Sequence, residues 1–167
     1  TAGDITDSGV LAITGTSTFT VAGGQSIILD LDNTFSAAVT FVASGVGGVL
    51  LNVEINDSDD FELQTLTVTN DLTVTAGDDI TDSGTITVGG DLAATTDAGS
   101  GAITLDTLAV AGSIALNTHG TGAATVVNDH ATGIEFAAST VGGALSATAT
   151  AGDITDSGVL AITGTST

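Results

Sequence analysis

Lysine and arginine are missing from this 167-residue sequence, which carries twenty Asp and Glu and a formal net charge of -20. Without clustered cationic side chains it has no means of gripping nucleic acid or an anionic membrane surface, so both are excluded as partners. Two histidines are the only side chains able to answer a carboxylate in an ion pair. Lys–Asn isopeptide cross-links are chemically impossible. Cysteine is also absent, which rules out disulfides and covalent haem attachment and leaves the redox compartment unread. No apolar run approaches the roughly 20 residues of a membrane span, and the opening TAGDITDSG does not read as a signal peptide. Pro, Met, Trp and Tyr are missing too, and five Phe are the only aromatics.

What remains is Val, Ile, Leu and Ala, with Thr, Ser, Gly, Asp and Asn supplying nearly everything else. β-Branched and small residues favour strands over helices. Glycine or a Thr cluster interrupts every segment long enough for a helix, so almost no helix is expected.

Residues 1–18 recur unchanged as residues 150–167, a period of 149. A copy with one inserted Asp, TAGDDITDSGTITVGG, starts at Thr75 and divides the period into halves of about 75 residues. Short apolar strands close on an aspartate at Asp7, Asp30, Asp57, Asp82, Asp106, Asp129 and Asp156, at intervals of 23, 27, 25, 24, 23 and 27. The spacing predicts six coils of about 25 residues in each 149-residue unit. Turn residues cut each coil into three strands, as in TITV, DLAATT and AITLD. Alternation within them, for example Leu72 and Val74 or Ile103 and Leu105, sends one set inward.

The expected fold is therefore all-β, a right-handed parallel β-helix with three strands per coil. Residues 1–167 form one solenoid segment, a 149-residue repeat plus the first 18 residues of the next. Six coils would rise about 29 Å at a strand spacing of about 4.8 Å. No polar cap is visible at either end, so the array is expected to continue in both directions, and identical ends permit head-to-tail stacking with itself.

The strings LTVTAGDDITDSGTITVGG, TFTVAGGQSIILD and TFSAAVTFVASGVGGVLLN resemble the repeats of very large bacterial exoproteins of the filamentous-haemagglutinin type, many of them exported by two-partner secretion. The likeness is one of repeat style and runs through most of the chain. It implies a β-helical shaft outside a Gram-negative cell, with attachment or surface structure as its role and a host or matrix surface as a further partner.

Stacked in register, the strand-closing aspartates would form a ladder with one carboxylate per coil. Such a ladder invites Ca²⁺, which takes several oxygen ligands, and Asp57, Asp59 and Asp60 in INDSDDFE form its densest cluster. The competing reading is that these Asp end strands and make turns, with their charges splayed into solvent. The cluster lacks EF-hand spacing, and the nonapeptide calcium repeat is absent. His119 and His130 sit beside turn residues and read as exposed. Catalysis is not expected: GxSxG and HExxH are absent, no basic residue is present for lyase chemistry, and carboxylate pairs recur on every coil. Thr-x-Thr pairs at Thr67, Thr73, Thr85 and Thr148 are too irregular for an ice-binding ladder. The functional expectation is a structural shaft that spaces or supports adhesion, with a polysaccharide- or cation-binding surface as the alternative.

Overall fold

The computed structural model describes residues 3–167, and among these every regular element is a strand. Thr1 and Ala2, which open the first copy of the repeated block, lie outside the described residues. The strands pair in parallel, each with the equivalent strand one coil before and one coil after, which makes the chain a β-solenoid. On the first face the register runs from Ile5 to Ile27, Val53, Leu72, Leu92, Ile114, Phe136 and Asp156. The steps are 22, 26, 19, 20, 22, 22 and 20 residues, so the coils average about 21 residues and make about eight turns.

Two expectations change here. The 149-residue repeat spans seven coils, with a rise of about 34 Å at the usual strand spacing, and not six coils of about 25. Intervals between strand-closing aspartates overestimate the coil because those residues lie on different faces. Asp57 closes a first-face strand, Val53–Asp57, whereas Asp82 closes Ile80–Asp82 on the second face, so the path between them covers a full coil and part of another. The half-repeat is likewise not a whole number of coils. The DITD of residues 4–7 and that of residues 153–156 lie on the first face, but the middle copy, residues 79–82, lies on the second.

Three strands per coil hold through the centre. The chain runs from the first face (Leu72–Ala76, Leu92–Thr96) to the second (Ile80–Asp82, the start of Ile103–Val110) and then to a short third (Leu66–Val68, Ile86–Val88). Near both ends the extra strand moves to the corner between the first two faces: Ala12–Ile13 pairs with Thr34 and Phe35, and Ser139–Val141 pairs with Leu160–Ile162.

Period-two alternation fills the interior. Val53, Leu72, Leu92 and Ile114 stack as one ladder, and Ile55, Val74, Ala94 and Leu116 as the next; all eight are buried. A Leu so buried contributes about 2 kcal/mol by transfer from water, and only the adjacent coils provide the burial. The second coil, residues 27–52, is the longest, and its rings pack against Phe19 of the first. Phe19 meets Phe35 edge-on at 6.0 Å between centroids and stacks on Phe41 at 6.2 Å. Corners pack as tightly as faces: a Cβ on Gly77 would lie 2.0 Å from the Ser58 carbonyl oxygen on the coil below, so only glycine passes there.

Candidate functional site

The register distributes the seven strand-closing aspartates over different corners, so they do not form one ladder. Asp7 is half-buried on coil 1 and accepts hydrogen bonds from the Asn33 amide at 2.9 Å and the Leu31 N–H at 3.3 Å. Asp30 is exposed; the residue that stacks with Asp57 in the coil below is Asn33, through a register shift after Leu29. Asp7 and Asp30 share the register of Asp82 and Asp106, and the second pair is joined directly. The Asp106 N–H donates to Asp82 Oδ1 at 3.1 Å, and Thr107 donates to Oδ2 from its N–H at 3.0 Å and its hydroxyl at 2.7 Å. Asp129 is exposed and accepts from the Thr150 hydroxyl, while Asp156 is exposed on the last coil.

The INDSDDFE cluster also separates. Asp57 points into the core and is 1 % exposed, whereas Asp59 and Asp60 lie on the outside of the turn. Asp57 Oδ1 accepts from the Phe35 and Asp59 N–H groups, each at 3.3 Å, and its Oδ2 is buried without a partner. Burial lifts this carboxyl above the usual range, and the Asp59 charge adds to the rise while the backbone donors of Asp59, Phe35 and Ser58 oppose it. Outside, the corner loops of several coils line an open groove of about 850 Å³ that displays Asp59, Asp60, Glu62, Asp78 and Asp79. Among the described residues no three Asp, Glu or His side chains converge as a metal site requires. The groove is a concave acidic surface.

His119 and His130 occupy different corners, each tied to its own coil neighbourhood: His119 Nδ1 lies 3.0 Å from the Gly99 carbonyl, and His130 Nδ1 lies 2.8 Å from the Thr132 hydroxyl. The Thr pairs divide between faces. Thr67 and Thr87 stack on the third, and Thr73 and Thr75 lie on the first.

A family model described as repeats of unknown function (DUF5649) matches residues 1–42, 51–109 and 121–167. The chain belongs to the DUF5649 repeats. The first break in the match, residues 43–50, falls in the longest coil of the solenoid, where an extra loop is inserted between second and first faces. No curated protein and no solved structure matches the chain.

The polar order of this DUF5649 chain lies where strands open and not at the aspartates that close them. The residue immediately before four of the first-face strands accepts a backbone N–H of the next coil through its side chain. Asp4 Oδ1 accepts from the Ser26 N–H at 2.7 Å, Asn52 from Asp71 at 3.2 Å, Asp71 from Asp91 at 2.9 Å and Asp91 from Ser113 at 2.7 Å. The second face repeats the device: Asp60 accepts from Asp79 at 3.0 Å, and Asp79 from Ala102 at 2.7 Å. At a corner the backbone turns away from its neighbours, and these oxygens replace the carbonyl that would otherwise accept. The signal was legible as a small polar residue before an aliphatic one: Asp4-Ile5, Ser26-Ile27, Asn52-Val53, Asp71-Leu72, Asp91-Leu92, Ser113-Ile114. Asp91→Ala, which orphans the Ser113 N–H, is expected to cost about 1 kcal/mol in urea unfolding, and Asp91→Asn, which keeps an acceptor, clearly less.

Buried amides do the same from inside. Asn128 accepts from the Val110 N–H at 2.8 Å and donates to the carbonyls of Val110 at 3.0 Å and Gly133 at 2.6 Å, acting as a segment of backbone where its strand ends.

Proposed function

We propose that this chain is a shaft segment of a large extracellular or cell-surface protein or filament, a stiff spacer that supports adhesion. The observation that carries this reading is the unbroken pairing of coil upon coil from Ile5 to Asp156, at the end of which the repeated block returns to the face on which it began. A structure that closes its pattern after seven coils grows by whole units, and each unit adds length without altering the surface pattern. The aliphatic interior and the corner hydrogen bonds tie each coil to the next and resist bending. Freedom from thiols and the likeness to filamentous-haemagglutinin-type repeats favour a location outside a Gram-negative cell. The acidic groove favours a second reading, in which cations or a polysaccharide surface are engaged along the shaft.

Chains carrying one, two and three 149-residue units should lengthen by about 34 Å per unit in small-angle scattering while their cross-section stays constant. A cross-section that grows with unit number would overturn the spacer reading. Glycan-array binding by one unit alone would move the weight to the surface-binding alternative.

A further inference from the structure

Buried polar side chains inside the stack each do two jobs. Thr96 accepts from the His119 N–H at 3.1 Å and donates to the Gly101 carbonyl at 3.0 Å. Thr118 does the same between Gly142 and Gly122, at 2.9 and 2.7 Å, and Ser139 between Leu116 and Ala137, at 3.0 and 2.9 Å. Asn128 and Asn33 divide the jobs between their amide atoms. The oxygen accepts from Val110 or Leu11, at 2.8 Å in both cases, and the nitrogen donates to the Gly133 carbonyl at 2.6 Å or the Leu29 carbonyl at 3.2 Å. Each of the five thus takes an N–H from another coil and gives a hydrogen to a carbonyl within five residues of itself.

Asp57 holds a position of this kind and is the only carboxyl among the described buried polar residues. It stacks directly on Asn33, and its Oδ1 accepts from the Phe35 N–H on the coil below. Its Oδ2 is buried without a partner. Neither neighbour in the column can supply one: Asn33 already gives its amide hydrogens to Leu29 and Asp7, and Ala76 above has none to give. An ionised carboxylate only accepts, whereas a neutral carboxyl carries the hydrogen that the other five donate. The charged groups around Asp57 are all carboxylates: Asp59 and Asp60 on its own turn, Glu62 on the strand that follows, Asp78 and Asp79 on the turn above, and Asp7 behind Asn33. The chain has no Lys or Arg to offset them. Burial, with the Asp59 charge adding to it, lifts the Asp57 carboxyl above the usual range.

We infer that Asp57 is a proton-operated cap, which closes the corner between the second and third coils as a neutral carboxylic acid and releases it on ionisation. In the neutral form Oδ1 accepts and Oδ2–H donates, the arrangement of Asn128 with an oxygen in place of the nitrogen. Ionised, it is a buried charge with an unsatisfied oxygen, so the side chain is driven toward water in the groove and deprives the Phe35 N–H of its acceptor. The stack thereby contains one joint that loosens as pH rises, while joints capped by amides and hydroxyls do not titrate. That joint exists whatever the stack supports.

The test follows Asp57 and its partner in the folded chain. The Asp57 carboxyl carbon, observed by NMR, should titrate above the usual carboxylate range. Amide exchange at Phe35, corrected for its intrinsic rise with pH, should climb about tenfold per pH unit up to that midpoint and level off above it. Val110, whose N–H is held by Asn128, should keep its protection over the same range, and Asp57→Asn, which carries the donor permanently, should keep Phe35 protected throughout. A carboxyl carbon that titrates in the ordinary range overturns the inference, as does Phe35 exchange that is unchanged through the midpoint or that keeps its pH dependence in Asp57→Asn. Should the variant fail to fold, Phe35 and Val110 in the unaltered chain decide: loosening confined to Phe35 supports the cap, and parallel behaviour refutes it.

Discussion

Leu72→Ala is expected to lower the unfolding free energy by about 3 kcal/mol, and Ile154→Ala by less than about 1 kcal/mol. The two residues lie on the same face and both point toward the axis of the stack, but Leu72 is fully buried between Val53 and Leu92, and Ile154 is half exposed with Ile134 on one side only. Truncating Leu72 forfeits its transfer energy and leaves a cavity that adjacent coils, pinned by their own hydrogen bonds, cannot collapse to fill. Truncating Ile154 removes methyl groups already in contact with water. Urea unfolding followed by circular dichroism measures both. Equal costs, or the reverse order, would mean that the coil order described here is wrong.

Thermal stability at neutral pH is expected to rise with salt and to rise again as pH is lowered through the folded-state pKa of Asp57, which lies above the usual carboxylate range. With net charge -20 and no Lys or Arg, the carboxylates repel one another without compensation, at about 0.8 kcal/mol for a pair 5 Å apart in bulk water. Asp59, Asp60, Glu62, Asp78 and Asp79 share one groove, so screening there should be worth on the order of 2 kcal/mol between low and high ionic strength. Asp57 acts in the same direction. Its folded-state pKa is raised by burial, so the folded chain binds that proton more tightly than the unfolded chain. The resulting stability is present below the unfolded value and is lost as pH rises through the folded one. Asp57→Asn should therefore match or exceed the wild type at pH 7 and show a flatter pH profile. Ca²⁺ compared with NaCl at matched ionic strength separates screening from binding: equal midpoints mean screening alone, and a gain specific to Ca²⁺ means that the acidic corner holds the ion.

Much of the fold was legible because a solenoid writes its pattern locally. Leu72, Val74, Ile103 and Leu105 alternate with polar residues, and each faces inward as alternation requires. The coil length was not legible from the aspartates. Asp57 and Asp82 both close strands, and nothing in the residue itself records which face the strand lies on. DITD likewise specifies a strand and its corner contacts, which Asp4 and Asp79 perform alike on different faces. The polar ladder of Asn52, Asp71 and Asp91 was missed for a related reason. Strand-opening and strand-closing aspartates look the same until the register shows which oxygen meets an N–H on the next coil.

The sequence by itself determined that the chain is all strand, that it is repetitive with a period of 149, and that its surface is acidic without counter-charge, since each follows from composition, alternation or identity along the chain. Only the tertiary structure decided that the period holds seven coils, that the Asp7 to Asp156 series divides among corners, and that Asp57 lies inside while Asp59 and Asp60 lie outside. Those are questions of which residues about 21 positions apart come into register. Each corner can absorb or insert residues, as the steps from 19 to 26 show, so register is set by the sum of all the corners and by the fit between neighbouring coils, not by any residue read alone.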